Sequence, residues 1–259
     1  MSERLRPTLP APVALGRDSL SRARARERLM RTLWNTHGDR RLPSERALTA
    51  ALGGCDRRDV FWVTEMCSAG PVYLLPTREW VRALAREIVD LGVGSVLEVG
   101  AGDGFLARSL RAALPRRVRL VATDSGAWEE PARRMSAAER TELARVAVPG
   151  LQLGTNVVRL DALKAVRQYA SELVLVSWPP PGPLLERLIR APVRYVLEIG
   201  ATGDTCGLGA RSWRFAHEVL PGPIETRALC RLDAQPARER HTRVTLYYGH
   251  AHEAHHEQR

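Results

Sequence analysis

The chain has 259 residues, 44% of them hydrophobic, and carries a formal net charge of +10. That apolar share excludes a disordered chain and suits one α/β domain with a helical attachment. No stretch approaches the length of uninterrupted apolar sequence that a membrane span needs, and no apolar segment of the secretory type stands near the N-terminus. Cys55, Cys67, Cys206 and Cys230 form no C-x-x-C pair. They read as reduced thiols of a cytoplasmic protein, and no metal site is expected. Lys164 is the only lysine, and residues 1–46 hold 11 arginines against 5 acids. Such a basic segment suits nucleic acid, and it equally suits a solvated face written in arginine-rich code.

Residues 1–17 contain three prolines and no helical period, so a loose tail is expected there. A helix is predicted over 18–35, with Asp18 or Ser19 as its cap. Leu29, Met30, Leu33 and Trp34 form its apolar stripe, and Gly38 stops it. A shorter helix opens near Pro43 or Ser44 and ends before Gly53 and Gly54. The third predicted helix spans 77–91, where Trp80, Val81, Leu84, Ile88 and Leu91 recur at helical spacing. Thr77 is its N-cap candidate, and Gly92 sits where a C-cap belongs. Residues 18–70 thus read as an N-terminal helical extension.

From there short β-branched runs alternate with helical stretches. Strands are predicted at 95–99, 118–123, 156–160, 173–177, 195–199, 224–231 and 242–248. Ser136 and Glu139 form a capping box between the second and third. This rhythm predicts an α/β fold with a mostly parallel sheet covered on both faces. The last two strands have no helical pattern between them and should pair antiparallel at one edge. Residues 250–259, rich in histidine, read as a second disordered tail without a catalytic role.

The sharpest motif is the run Val96-Leu97-Glu98-Val99-Gly100-Ala101-Gly102-Asp103-Gly104-Phe105, an apolar strand that enters a glycine turn and then a helix over 105–114. Glycines there let backbone approach a ligand, and ligands of open α/β sheets sit at strand carboxyl ends. The glycine spacing is not G-x-G-x-x-G, and no G-K-[ST] follows, which argues against a dinucleotide fingerprint and a P-loop. Glu98 and Asp103 would repel a pyrophosphate and suit a cationic ligand. Asp124 and Ser125 close the second strand, where a carboxylate can hold ribose hydroxyls or simply form a turn. Asp161 and Ala162 close the third. There Asp161 either accepts from an adenine amine or caps the next helix.

Glu98 to Phe105, Asp124 and Asp161 resemble motifs I to III of the class I SAM-dependent methyltransferases. The resemblance covers about residues 77–249. It implies a Rossmann-like, seven-stranded sheet with an antiparallel last strand, in a catalytic domain spanning 71–249 that the 18–70 extension caps over the acceptor pocket. It implies that S-adenosylmethionine lies against Gly100, Gly102 and Gly104, with Ala101 and Phe105 beside it. Asp124 and Ser125 would hold the ribose, Asp161 and Ala162 the adenine, and Glu98 and Asp103 the methionine amine. Tyr73, Thr77 or Arg78 would meet the carboxylate, or the segment would only start a helix.

At the fourth strand end, Ser177-Trp178-Pro179-Pro180 resembles the Asp/Asn-Pro-Pro-aromatic motif of amino-directed N-methyltransferases. Ser177 stands where they carry an amide or carboxylate, and Trp178 precedes the prolines. Glu198, at the fifth strand end, is a candidate base or substrate anchor. The glycine-rich segment 200–207 could line the acceptor pocket. The expected reaction is N-methylation of a small molecule or peptide, with S-adenosylhomocysteine as product. The alternatives are O-methylation and an RNA methyltransferase using the basic N-terminus. A homodimer is compatible with all of these.

Overall fold

The computed structural model describes residues 17–66, 72–127, 153–201, 206, 209–220, 230 and 242–252. They divide into two compact units. Among the described residues, 17–66, 72–79 and 230 belong to the first, and the others to the second.

The first unit is helical. Its elements are α1 (Arg17–Leu33), α2 (Glu45–Leu52), α3 (Arg57–Phe61) and a single π-helical turn, Trp62–Met66. Leu29 and Leu33, one turn apart on α1, bury against Leu48 of α2 and Val60 and Val63. Ser44 caps α2 by accepting from the Ala47 N–H, at the place predicted from sequence. The sequence reading missed α3, which is too short to show a helical period. Its signal lies in its ends, where Asp56 and Asp59 form a reciprocal capping box. The Asp59 side chain is buried, and Arg26 and Arg22 reach its Oδ1 at 2.6 Å and 3.2 Å. Burial alone would raise its pKa. Hydrogen bonds from Arg26, the Asp56 backbone and Arg22 outweigh it and hold the carboxyl below its usual value.

The second unit is the α/β part. Helix α4 (Arg78–Asp90) begins at the boundary and buries Trp80, Leu84 and Ile88. There follow β1 (Ser95–Val99), α5 (Phe105–Ala113), β2 (Arg119–Asp124), β3 (Val158–Arg159), α6 (Ala162–Tyr169), β4 (Leu173–Ser177), α7 (Leu184–Ile189), β5 (Tyr195–Ala201), a 3-10 turn (Gly209–Arg214), β6 (His217–Val219) and β7 (Thr242–Tyr248). The strands form one seven-stranded sheet in the order β3-β2-β1-β4-β5-β7-β6. Neighbours from β3 to β5 run parallel, and β7 is reversed against both β5 and β6. This is the Rossmann-like sheet with a reversed last strand that the family resemblance implies. The reversed strand lies one place in from the edge, which β6 occupies.

Every residue of β1 is buried, as a central parallel strand covered on both faces requires. Leu97 and Val99 face α6 and α7 with Val174, Val176 and Val196. Glu98 points to the other face and accepts a hydrogen bond from the Ala107 N–H of α5. The chain runs outward from β1 to β3, then returns to place β4 on the far side of β1. That reversal opens a crevice between the carboxyl ends of β1 and β4, the usual ligand position of such sheets.

Two expectations lie outside the described residues, and one needs correction. The predicted strand over 224–231 falls outside the described residues except for Cys230, which bridges to Leu74. Among the described strands, His217–Val219 lies at that edge. Its three residues follow a 3-10 turn and are too few to show alternation. The C-terminal tail does not begin at 250, because His250 to His252 form a helical turn and the Ala251 N–H donates to the Val193 carbonyl at 3.1 Å. The capping box at Ser136 and Glu139 lies outside the described residues.

Replacing Asp59 by Asn removes a charge that two guanidiniums share. The expected cost is about 1–3 kcal/mol at neutral pH, read by denaturant unfolding. Because the folded pKa is depressed, this contribution is present above the ordinary carboxylate range and lost as pH falls through the folded value. Wild type and variant should therefore converge in acid.

Candidate functional site

The turn between β1 and α5 is built from backbone that side chains avoid. Gly100, Gly102 and Gly104 have φ of +66°, +54° and +68°. A Cβ on Gly100 would meet nothing within 4 Å, so open space borders the turn there. The opposite flank is closed. A Cβ on Gly104 would stand 2.7 Å from a Val157 methyl, and one on Gly154 would stand 2.2 Å from the Asp103 carbonyl oxygen. The Gly154 N–H donates to the Gly102 carbonyl at 3.2 Å. The segment entering β3 therefore lies directly on the turn. Sequence reading missed Gly154 and Val157, since nothing local marks them.

Asp124 is buried at the end of β2. Its Oδ2 accepts from the Gly102 N–H at 2.9 Å and its Oδ1 from the Gly126 N–H at 2.7 Å. It braces the glycine turn. Ser125 is exposed and accepts from the Ala127 N–H. Asp161 caps α6, its Oδ1 accepting from the Leu163 and Lys164 N–H groups at 3.1 Å. Of the two readings of Asp161, capping is the one this geometry displays. Ala162 is the first residue of that helix. Arg159 lies over Gly126, so a cation borders the same strand ends.

Glu98 is the site's unusual group. It is 2% exposed, and its Oε2 has no hydrogen-bond partner among the described residues. Burial first, then the nearby carboxylates of Asp103 and Asp124, push its pKa up to about 8. The Ala107 N–H and Arg111 oppose the shift. Asp103 accepts from the Phe105 N–H at 3.0 Å, in the first turn of α5. Three acids thus converge behind an open glycine turn. A buried, incompletely paired carboxylate among like charges suits a ligand bearing an ammonium and a sulfonium, and opposes a pyrophosphate. The residues fit S-adenosylmethionine on this ground.

At the end of β4 the Trp178 N–H donates to the Ile199 carbonyl at 2.7 Å, and the chain then turns sharply. Trp178 has φ +54°, a backbone state unfavourable for an aromatic residue and more so before a proline. Pro179 is buried and Pro180 exposed. Such stored strain persists only where its surroundings fix it.

The structure does not bring Glu198 to this ledge. In the register Ser177 is level with Ile199 and Val176 with Glu198, so Ser177 and Glu198 point to opposite faces of the sheet. Glu198 is buried with the Tyr247 hydroxyl 3.3 Å from its Oε2, and that hydroxyl is 3.3 Å from Ser212 Oγ. Burial raises the Glu198 pKa and raises that of Tyr247 to about 12. Tyr73 and Thr77 belong to the helical unit, Tyr73 exposed and Thr77 buried. Of the segment 200–207, Gly200 and Ala201 extend β5 and Cys206 is buried; its other residues lie outside the described set.

No family model and no curated protein matches the chain. Among solved structures, the methyltransferase domain of bacterial CtHen1 aligns over 66% of this chain and 97% of its own, at 10% identity and TM-score 0.39. The O-methyltransferase TomG from Streptomyces achromogenes, in complex with SAM, aligns over 69% and 82% at 17% identity and TM-score 0.35. The CurJ carbon methyltransferase aligns over 90% and 68% at 13% identity and TM-score 0.40. Similarity this low transfers no residue role, so function rests on the chain's own strand order and side chains.

Glu98→Gln removes the carboxylate while keeping an oxygen for the Ala107 N–H. An acid whose folded pKa is raised weakens the fold as pH climbs from the ordinary carboxylate range toward 8, and no further above. The variant should therefore melt higher than wild type at pH 8 and show no such slope. Thermal scans from pH 5 to pH 8.5, without added ligand, check this.

Proposed function

We propose that the chain is a SAM-dependent methyltransferase. The carrying observation is the buried, incompletely paired carboxylate of Glu98, set with Asp103 and Asp124 behind a glycine turn open at Gly100. S-adenosylmethionine would supply an activated methyl group there. In this reading Glu98 and Asp103 face its ammonium, Asp124 and Ser125 its ribose, and Asp161 and Ala162 its adenine edge. Ala101 and Phe105 flank the turn.

The acceptor would rest on the ledge of Ser177, Trp178 and Pro179. We assign it as a nitrogen of a small molecule or peptide. The rigid turn leaves carbonyl oxygens to accept from an N–H, and the Ser177 hydroxyl adds a further acceptor without charge. Transfer to a good nucleophile needs positioning and exclusion of water more than covalent help. Glu198, turned to the other face, is assigned to bracing the 3-10 turn through Tyr247 and Ser212. The proposed enzyme works on a diffusible or peptide acceptor in the cytoplasm.

Isothermal titration with S-adenosylhomocysteine and with NAD tests the cofactor class. Homocysteine-nucleoside binding without NAD binding supports the reading, and the reverse would sink it. Gly102→Val should abolish binding, because a β-branched residue resists the left-handed turn. Asp124→Ala should weaken it by about 1–3 kcal/mol through lost hydrogen bonds and a loosened turn. At pH 7 the incoming ammonium should displace the Glu98 proton. Titrations in buffers of different ionisation enthalpy should report close to one proton released, and affinity should rise about tenfold per pH unit below 8.

A further inference from the structure

Part of the positive charge that the sequence concentrates near its N-terminus is engaged in ion pairs there. Arg22 and Arg26 pair with Asp56 and Asp59, and Arg31 pairs with Glu27. The sheet unit carries further arginines on the face covered by α6 and α7, and two of them have no carboxylate partner among the described residues. Arg167, Arg187 and Arg190 line an open groove of about 350 Å3 whose floor is Leu163, Val166 and Ala191. Among the described residues no carboxylate lines it. Arg167 and Arg187 are exposed and have no carboxylate partner among the described residues.

The charge continues along the same face with aromatic rings between the cations. The Arg190 and Arg214 guanidiniums lie 5.2 Å and 5.1 Å from the Phe215 ring centre, and Glu186 pairs with both. Beyond them Trp213 is 44% exposed, with the Arg243 guanidinium 4.3 Å from its ring centre and His217 tilted against it at 5.0 Å. Stacking on a ring holds a guanidinium plane in place at low entropic cost and leaves its N–H edge free for phosphate. An exposed indole beside such cations is a platform for an unpaired base. An acidic peptide would use the arginines but would have no need of the exposed indole. A duplex would keep its bases from it.

We propose that this face, from Arg167 through Arg187 to Trp213, binds single-stranded nucleic acid, with phosphates on the arginines and a base stacked on the indole. The arginine groove lies toward the amino ends of the strands, since α7 leads there into β5, whereas Trp213 sits between His217, level with Val196, and Arg243, level with Gly200. The groove at Arg167 and Arg187 is therefore separate from the crevice at the carboxyl ends of β1 and β4. The inference goes beyond the methyltransferase reading and does not depend on it.

Fluorescence anisotropy on the full chain, with labelled twenty-nucleotide uridine RNA, thymidine DNA and a polyglutamate peptide of equal charge as probes, tests the proposal. Wild type should bind one or both oligonucleotides with a steep salt dependence and bind polyglutamate more weakly. Arg167→Glu with Arg187→Glu should cut affinity at least about tenfold and reduce the salt slope by about two. Trp213→Ala should weaken binding while leaving that slope unchanged. S-adenosylhomocysteine affinity, expected to be unaltered in all variants, reports both the fold and the separate cofactor reading. Absent oligonucleotide binding, unchanged affinity in these variants, or equal binding of polyglutamate would each overturn the proposal. Preference between RNA and DNA would say which strand the face takes.

Discussion

The interaction on which the site depends is one the protein leaves unfinished. Glu98 is placed on the central strand, under the first turn of α5, where water cannot reach it and one oxygen finds no donor among the described residues. Natural cores avoid such groups because an unmet buried acceptor is costly. The cost is tolerable here because the carboxyl is held protonated near neutrality by burial and by its like-charged neighbours. On its own the group is therefore uncharged, at a position that a cation would make anionic. In the proposed function the fold gives up some stability in the free state for selectivity in the bound one.

The rest of the crevice is organised around that group. Asp124 does not wait for a ligand. It ties the Gly102 and Gly126 amides and so sets the curvature of the turn beside Glu98. Gly154 and Val157 press on the other flank, so the turn has one closed side and one open side. Pre-organisation of this kind lowers the ordering cost at binding. It also explains why three glycines stand within five residues, since the left-handed backbone is imposed from both strands.

Much of this was legible in the sequence because it is local. The boundaries of β1, β4 and β7 follow from short apolar runs, and the cap of α2 follows from Ser44. The glycine turn declares itself by spacing. What could not be read depends on register or on distance along the chain. Glu198 and Ser177 both close strands, and only the parallel pairing of β4 with β5 reveals that they face apart. Gly154 earns its place by a contact with Asp103 some fifty residues away in sequence, which no local pattern encodes. The three-residue strand β6 and the five-residue helix α3 are too brief for periodicity of either kind to appear.

Trp178 carries a consequence for how this chain can change over time. A left-handed aromatic residue before a proline costs on the order of 1–3 kcal/mol. Asparagine or glycine would sit there with less strain, so drift toward sturdier variants would erode the indole first. Keeping an indole at that corner therefore costs local thermal robustness.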